Sequence, residues 1–230
     1  SHDHLDYHKN FKNYLNAKLY LFKKLLKKNS NTITDIAIPE YEKIKKISLK
    51  NKLNLNTIGA KKGNLNIISH EYENEKQIIK IKYKNNFFII KINLIGKIQI
   101  KNLLMAMIAA EKSNIDFKNI VNVINKVNPV SGRLEKIGRI RNNSKVILDY
   151  AHTPDALKTC LQNLKDQFKN KKISIVFGCG GDRDKFKRPR MGQIVNQFCN
   201  KIYLTDDNPR KENPKKIRSS IKKKINKLKL

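Results

Sequence analysis

The sequence predicts an α/β fold in two domains, the second of which carries a mostly parallel sheet. Apolar residues near the start recur at helical spacing, and the middle alternates apolar and polar residues as a β-hairpin does. After residue 130, strand-length apolar segments alternate with helical patterns. Strands separated by helices form βαβ units, whose sheets are parallel. We place the domain boundary near Val130–Gly132, just after Asn128-Pro129.

The first domain is predicted to begin with a helix over about residues 10–28. Its apolar stripe consists of Phe11, Tyr14, Leu15, Phe22, Leu25 and Leu26. Lys18 lies inside this stripe, so we expect apolar neighbours around its side chain. Farther on, alternation over 79–84, an Asn85-Asn86 turn and the apolar segment 87–94 predict a hairpin. Helices are expected over about 99–112 and 117–127.

The second domain is predicted as a run of alternating strands and helices. The expected strands cover 145–149, 172–177 and 201–205, and the helices cover 154–168, 191–198 and a segment starting at Pro214. We interpret 145–149 as a buried strand of the parallel sheet. Ligands bind such sheets at the carboxyl ends of the strands, so the loops that follow the strands are the candidate site.

Polar residues are concentrated in the three loops that follow these strands. The loops are Asp149-Tyr150-Ala151-His152-Thr153-Pro154-Asp155, Gly178-Cys179-Gly180-Gly181-Asp182-Arg183-Asp184-Lys185 and Asp206-Asp207-Asn208-Pro209-Arg210. Gly180 and Gly181 would allow a ligand to approach the backbone, and Arg183 can bind a carboxylate or phosphate with two hydrogen bonds. Gly, Asp, Asn and Pro are also ordinary turn residues. Three such loops at one sheet edge favour a shared site.

The composition limits the function classes. The 230 residues include 50 Lys and Arg against 19 Asp and Glu, a net charge of +31, and 39% hydrophobic residues, which argues against disorder. The longest apolar run is residues 103–110, whereas a membrane span needs roughly 20 residues. No signal peptide is visible. Three cysteines fit a reducing compartment, so we expect a cytoplasmic protein without a membrane partner.

The positive charge raises the alternative of a basic module that binds nucleic acid without catalysis. Two features argue against it. Lys, Asn and Ile are abundant throughout the chain, as AT-rich codons would produce. Lysine also far outnumbers arginine, whereas nucleic-acid sites rely on arginine and stacking aromatic residues. We keep this module as an alternative only.

The motifs resemble those of the Mur ligases. The resemblance rests on Asp3-His4-Leu5-Asp6-Tyr7-His8 with Ala17-Lys18, Gly132-Arg133-Leu134-Glu135, Leu148–Leu157, Gly178–Gly192 and Thr205–Arg210. It covers nearly the whole chain and is weakest over residues 29–94. It implies that residues 1–130 are the C-terminal part of a central ATP-binding domain. Residues 131–230 would then be a Rossmann-like C-terminal domain that binds the amino acid.

The resemblance also implies that the chain is part of a longer protein. Mur ligases bind the ATP phosphates with a Gly-x-x-x-x-Gly-Lys-Ser/Thr loop, and this sequence contains none. We therefore expect the chain to start inside the central domain and to end inside the C-terminal one. Whether this segment is active alone, and in which oligomeric state, is left open.

The implied reaction forms an amide bond in peptidoglycan synthesis. ATP phosphorylates a D-glutamyl carboxylate, and the amine of meso-diaminopimelate displaces phosphate from the acyl phosphate. The acceptor would be UDP-N-acetylmuramoyl-L-alanyl-D-glutamate, and Mg²⁺ would assist because charge builds on phosphoryl oxygens. The alternatives within the superfamily add lysine, or add glutamate as folylpolyglutamate synthases do.

The resemblance assigns roles to individual residues. Lys18 corresponds to a carbamylated lysine that binds Mg²⁺, and burial would favour the neutral amine that captures CO₂. His4 corresponds to the histidine at a second metal. His2 and His8 could suggest a zinc cluster with His4, but no cysteine lies nearby, and we interpret them as surface histidines.

The nucleotide is implied to contact the second domain and one helix of the first. Asp149 would bind the ribose hydroxyls, Arg133 the phosphates, and His152 would act close to those phosphates. Asn102 lies in the segment that corresponds to the adenine-side helix start. Gln99 in that segment stands where the family usually has Asn, so its contact with the base stays open.

The amino acid is implied to bind Arg183, Asp207, Asn208, Pro209 and Arg210. Diaminopimelate resembles lysine with a second carboxylate at its far end. Arg210 can bind that carboxylate with two parallel hydrogen bonds, and Asp207 can accept the ammonium group. An Asn-Pro turn with a surface arginine is the simpler alternative. The motif argues against lysine and glutamate as substrates.

Overall fold

The computed structural model describes residues 5–230, with side chains described from Tyr7 onward. These residues form two compact units, which meet in sequence at Val130 and Ser131. Each unit has its own hydrophobic core, and both cores are rich in isoleucine and leucine. In the part of the chain that the structure describes, no helix is both long and apolar enough to cross a membrane.

The first unit contains a five-stranded sheet in sequence order. Its strands are β1 (Asn31–Asp35), β2 (Asn54–Gly59), β3 (Leu65–Glu73), β4 (Lys76–Tyr83) and β5 (Asn86–Ile92). The first three strands are parallel, and β3, β4 and β5 are antiparallel. Tyr83 pairs with Asn86, so the predicted hairpin is confirmed. Its alternation places Gln77, Ile79, Ile81 and Tyr83 on the buried face of β4.

Five helices accompany this sheet in the described residues. They are α1 (Leu5–His8), α2 (Phe11–Tyr20), α3 (Tyr41–Lys50), α4 (Lys97–Glu111) and α5 (Phe117–Val123). α4 is packed into the core, where Leu104, Met107 and Ile108 are almost fully buried with strand residues such as Ile79. The apolar, periodic segments predicted as α4 and α5 are confirmed. The sequence patterns of β1, β2, β3 and α3 were too weak to predict these elements.

The first predicted helix is shorter than expected. Asn10 caps α2 by accepting a hydrogen bond from the Asn13 amide at 2.9 Å, and α2 ends at Tyr20. A π-helical turn over Leu21–Leu25 follows, in which the Leu26 amide donates to the Leu21 carbonyl. The helix does not continue to residue 28, because the backbone of Leu26 is extended, with a φ of −77° and a ψ of 135°.

The second unit contains two strand pairs and three helices. β6 (Glu135–Ile140) and β7 (Ser144–Leu148) are antiparallel, whereas β8 (Ser174–Phe177) and β9 (Lys201–Leu204) are parallel. The helices are α6 (Pro154–Gln167), α7 (Lys187–Phe198) and α8 (Pro214–Lys222). Leu161, Val195, Ile202 and Ile221 are almost fully buried in the core between them. The predicted α/β class with parallel strands is confirmed.

The predicted place of residues 145–149 in the parallel sheet is wrong. Among the described residues, β7 pairs only with β6, and its residues are half-buried or exposed. β6 was not predicted, because its sequence Glu-Lys-Ile-Gly-Arg-Ile lacks a buried apolar face. It nevertheless provides the backbone partners of β7. The pair β8 and β9 is separate.

Replacing Leu104 by alanine tests the packing of α4 on the sheet. The Leu104 residue is 0% exposed, so we expect the unfolding free energy to fall by ~2–5 kcal/mol, from lost burial and a residual cavity. Leu49→Ala is the control, because Leu49 is 71% exposed and should change stability by less than about 0.5 kcal/mol. Urea unfolding followed by circular dichroism measures both. Equal losses would contradict the described core.

Candidate active site

The polar residues of the second unit lie in three loops. We call residues 149–153, between β7 and α6, the first loop. Residues 178–186, between β8 and α7, are the second loop, and residues 205–213, between β9 and α8, are the third loop. The second and third loops follow paired parallel strands, so both leave the sheet at the same edge.

The second and third loops are joined by several hydrogen bonds. The Gly181 amide donates to the Asn208 carbonyl at 2.9 Å. The Lys211 amide donates to the Asp182 carboxylate at 3.2 Å, and the Asp182 amide donates to the Glu212 carboxylate at 2.7 Å. The two loops therefore form one connected structure.

The glycines of the second loop permit this contact. A methyl group at Gly178 would lie 2.5 Å from the Thr205 carbonyl oxygen, and one at Gly181 would lie 1.8 Å from the Pro209 carbonyl oxygen. We interpreted Gly180 and Gly181 as places where a ligand approaches the backbone. For Gly181 that interpretation is wrong, because the backbone of the third loop occupies the space. At Gly180 the nearest group is the Arg210 guanidinium, 2.9 Å from the methyl position.

Arg210 is held in place at its backbone and at its side chain. Its φ of 48° lies in the left-handed region, and its amide donates to the Asn208 side-chain oxygen at 3.2 Å. Its Nη1 donates to the Gly181 carbonyl at 2.7 Å. Asp207 is exposed, and its Oδ2 lies 3.7 Å from the Gly180 methyl position. The structure thus brings the candidate residues 207–210 next to the glycine loop, where Arg183 is exposed.

A buried ion pair below these loops was not predicted. Arg188 in α7 is 3% exposed, and its two terminal nitrogens donate to the Glu212 carboxylate at 3.0 and 2.8 Å. These hydrogen bonds from Arg188 lower the pKa of Glu212 to about 2. The hydrogen bonds to Glu212 raise the pKa of Arg188 in return. No sequence signal distinguishes Arg188 from the many surface cations.

The first loop is organised around Asp149. One carboxylate oxygen accepts from the Leu134 amide and the other from the Ala151 amide, each at 2.9 Å. The Lys187 ammonium donates to the His152 carbonyl at 2.9 Å, which links the first loop to the start of α7. The three loops are therefore connected, although β7 is not part of the parallel sheet. The Cys160 thiol is also hydrogen-bonded to Asp149. A carboxylate has about four acceptor positions, so Asp149 keeps capacity for one further donor.

Arg133, Tyr150 and His152 form an exposed stack beside Asp149. The Arg133 guanidinium lies 5.0 Å from the centre of the Tyr150 ring. The Tyr150 and His152 rings are 5.2 Å apart in an edge-to-face arrangement, and the Tyr150 residue is 65% exposed. We did not single out Tyr150, although an aromatic residue next to Asp149 in a polar loop was an available signal. An exposed ring with a cation over it suits a flat or anionic ligand.

The expectation that Lys18 is surrounded by apolar side chains is wrong. Lys18 is exposed, and its ammonium lies 5.0 Å from the Tyr14 ring centre. In α2 only Leu19 is buried, and Phe11 of the predicted stripe is exposed. Spacing identifies the face of a helix, but tertiary packing decides what covers that face.

The predicted metal residues are described only in part. His4 and His2 lie outside the described residues. His8 is half-buried between aromatic rings, 4.9 Å from Tyr7 and 5.4 Å from Tyr14 between ring centres. Over residues 5–230, no group of three or more His, Cys, Asp or Glu could hold a metal ion.

The predicted adenine-side helix start is the beginning of α4. Gly96 precedes it with a φ of 85°, and the Gln99 amide donates to the Gly96 carbonyl at 3.2 Å. Asn102 is exposed on this helix. Its neighbour Lys101 forms an ion pair with the buried Asp35 at the end of β1, at 2.5 Å. We did not predict this pair, because β1 itself was not predicted.

Protein-family models match both parts of the chain. The family model described as "Mur ligase middle domain" matches residues 1–110, and the one described as "Mur ligase, glutamate ligase domain" matches residues 132–229. Both matches fall on the units described above.

Curated relatives are matched over almost the whole chain. The UDP-N-acetylmuramoyl-L-alanyl-D-glutamate–2,6-diaminopimelate ligase of Rickettsia bellii is 40% identical over 222 residues, which are 96% of this chain and 46% of that protein. The ligase of the same name from Buchnera aphidicola subsp. Baizongia pistaciae is 40% identical over 95% of this chain and 44% of its own length. The chain thus spans less than half the length of these relatives.

Solved structures show the same fold. A structure of UDP-N-acetylmuramoyl-L-alanyl-D-glutamate–2,6-diaminopimelate ligase matches with a TM-score of 0.66 and 31% identity, over 98% of this chain and 46% of that one. MurF ligase from Thermotoga maritima, in complex with ADP, matches with a TM-score of 0.71 over 97% of this chain and 49% of its own. At 18% identity, this second match supports the fold alone.

Replacing Gly181 by alanine tests the contact between the second and third loops. The added methyl group would collide with the Pro209 carbonyl, so the third loop must move. We expect a loss of ~1–3 kcal/mol in the free energy of unfolding, as overpacking usually causes, and faster amide exchange over residues 205–212. Gly138→Ala is the control, because nothing lies within 4 Å of its methyl position. Identical behaviour of the two variants would contradict the contact.

Proposed function

Because the chain belongs to the Mur ligase family, we propose that the whole protein is an ATP-dependent ligase of peptidoglycan synthesis. It adds meso-diaminopimelate to UDP-N-acetylmuramoyl-L-alanyl-D-glutamate in the cytoplasm. The name of the 40% identical relatives supports this reaction. The observation that carries it is the placement of Arg210 and Asp207, a cation and an anion, beside Gly180.

We propose that the two units have different roles in substrate binding. Residues 1–130 form the C-terminal part of the central ATP-binding domain, and residues 131–230 form part of the C-terminal amino-acid-binding domain. Cys160, Cys179 and Cys199 are all free thiols, as a reducing cytoplasm requires. UDP-linked precursor and ATP would both be available there.

The far end of the substrate amino acid carries a carboxylate, which needs hydrogen-bond donors, and an ammonium group, whose positive charge needs an anion. One Arg210 nitrogen donates to the Gly181 carbonyl, and the guanidinium has further donors for the far carboxylate of diaminopimelate. Asp207 accepts hydrogen bonds from the ammonium group of the substrate. Arg183 from the second loop is a second cation for the substrate carboxylates. Asn208 and Pro209 shape the turn that presents Arg210.

We propose that residues of the first loop bind the nucleotide. Asp149 keeps acceptor capacity for a ribose hydroxyl, since two backbone amides and the Cys160 thiol do not use all of its lone pairs. Arg133 binds the phosphates from its position over Tyr150. By the family resemblance, His152 would act close to the same phosphates, and Asn102 of the first unit keeps its implied adenine-side role.

The phosphoryl transfer also requires charge neutralisation. Mg²⁺ would supply it by binding the phosphoryl oxygens. By the family resemblance, the ligand from α2 would be Lys18 as a carbamate, with His4 at a second ion. Lys18 is exposed, so burial does not favour its neutral amine here, and its assignment rests on the family resemblance alone.

The competing functions have different site requirements. Lysine, the substrate of a lysine-adding ligase, has no far carboxylate for Arg210 to bind. Glutamate, the substrate of a glutamate-adding ligase, has no far ammonium group for Asp207 to bind. A basic nucleic-acid module would need neither residue, and its binding would be lost at moderate salt without ligand preference. The juxtaposition of Asp207 and Arg210 therefore favours diaminopimelate.

Replacing Arg210 by alanine in the whole protein tests the choice of substrate. A charge-assisted bidentate contact is worth roughly 1.5–3 kcal/mol, so kcat/KM for diaminopimelate should fall roughly 10- to 150-fold. The low rate with lysine should change little, because lysine never makes this contact. Arg190→Ala provides the control, since Arg190 is an exposed arginine of α7. Equal losses for both amino acids would make Arg210 structural and would remove the main support for diaminopimelate.

Replacing Lys18 by alanine tests the carbamate. We expect ligation to fall by more than about 100-fold, as when other transition-state stabilising groups are removed, and formate or acetate to restore part of it. Lys18→Arg should not restore activity, because a guanidinium does not form the carbamate. Lys12→Ala, which changes another exposed lysine of α2, is the control. Turnover near the wild-type rate in Lys18→Ala would overturn the assignment.

A further inference from the structure

We propose that the buried Arg188–Glu212 ion pair positions Arg210 and thereby sets the affinity for the amino-acid substrate. The expected effect of the ion pair on substrate affinity rests on the function proposed above. Its expected effect on the order of the loops rests on the geometry alone. Neither residue would touch the substrate, so both are positioning residues.

Arg188 binds both loops at once. Its Nη1 and Nη2 donate to the two oxygens of Glu212 in the third loop, at 3.0 and 2.8 Å. Its Nη2 also lies 3.2 Å from the Gly180 carbonyl oxygen in the second loop and donates to it. Because the guanidinium is planar and buried, these hydrogen bonds fix the distance between the loops.

The Glu212 carboxylate also contacts an amide and an ammonium group of the second loop. The Asp182 amide donates to its Oε1 at 2.7 Å, and the Lys185 ammonium lies 3.6 Å from its Oε2. The Glu212 amide in turn donates to the Pro209 carbonyl at 3.0 Å, which closes the turn containing Arg210. The third loop is therefore attached on both sides of Arg210, at Asn208 and at Glu212.

Attachment on both sides matters because the Arg210 backbone is not in a preferred conformation. A φ of 48° is disfavoured for a residue with a side chain, and such a conformation persists only where its surroundings determine it. The hydrogen bonds at Asn208 and Glu212 hold the Arg210 backbone in this conformation. They place the guanidinium where its Nη1 reaches the Gly181 carbonyl.

Arg188 also keeps Glu212 away from Arg210. Glu212 is only two residues from Arg210 and is a carboxylate of the kind that Arg210 would bind in the substrate. In the structure this carboxylate forms an ion pair with Arg188. Arg210 forms no ion pair with any carboxylate of residues 7–230, and its Nη1 donates to the Gly181 carbonyl instead. Without Arg188, Glu212 would be free to compete with the substrate carboxylate.

The experiment compares Arg188→Met, Glu212→Gln and the double variant in the whole protein. Losing a charge-assisted contact should raise the KM for diaminopimelate by about 10-fold or more in each single variant. The KM for ATP and the kcat should stay within about two-fold, because the first loop is unchanged. The double variant should be no worse than Arg188→Met, since removing Glu212 also removes the competing carboxylate. Arg188→Lys, which keeps the charge, should recover part of the affinity.

Amide hydrogen exchange on the chain itself gives a readout that does not depend on the reaction. In Glu212→Gln, exchange at Asp182 and over 208–212 should accelerate about 10-fold or more, because the carboxylate hydrogen bonds are weakened. Arg190→Met, an exposed arginine two residues along α7, should change neither exchange nor KM.

The outcomes separate the two proposals. Unchanged exchange in the loops, or an equal rise in the KM for ATP and for diaminopimelate, would overturn the positioning role. Faster loop exchange in a protein that ligates no diaminopimelate would instead overturn the proposed function. If Arg188→Met fails to fold, Arg188→Lys and Glu212→Gln decide by the same measurements.

Discussion

Parallel strands end at the same edge of a sheet, and the pairing of β8 with β9 makes the second and third loops neighbours. Phe177 pairs with Leu204, and the Thr205 amide donates to the Phe177 carbonyl at 3.0 Å. The loops begin directly after these residues, so their backbones are close from the start. Only glycine at positions 178 and 181 leaves room for that approach. The positions of Asp207 and Arg210 depend on this contact.

Acidic residues are scarce in this chain, and the second unit uses several of them to organise loops. Asp149 accepts two backbone amides, Asp182 and Glu212 bind the opposite loop, and Asp206 pairs with Arg218. With 50 basic residues against 19 acidic ones, a carboxylate meets cations easily. Asp207 is exposed as well, and under the proposed function it would bind the ammonium group of the ligand.

Much of the fold and the residue types of the site could be predicted from the sequence. The β4–β5 hairpin and α4 follow from strong apolar periodicity, and turn residues mark the three loops. The partner of β7 could not be predicted, because β6 carries no apolar pattern. Lys18 was misjudged because spacing does not show which neighbour covers a helix face. The Arg188–Glu212 pair joins residues 24 positions apart, and only the tertiary structure brings them together.

The contacts that hold Arg210 come from the protein's own loops, and this has a consequence for recognition. Arg210 is already hydrogen-bonded to Gly181, and the third loop is already attached to the second through Asn208 and Glu212. A binding site that is ordered in advance loses less conformational entropy when the ligand arrives. A rigid guanidinium also discriminates better between substrates, because it cannot move to satisfy a ligand that lacks the carboxylate. Under the proposed function, selectivity for diaminopimelate would therefore depend on loop contacts that the amino acid never touches.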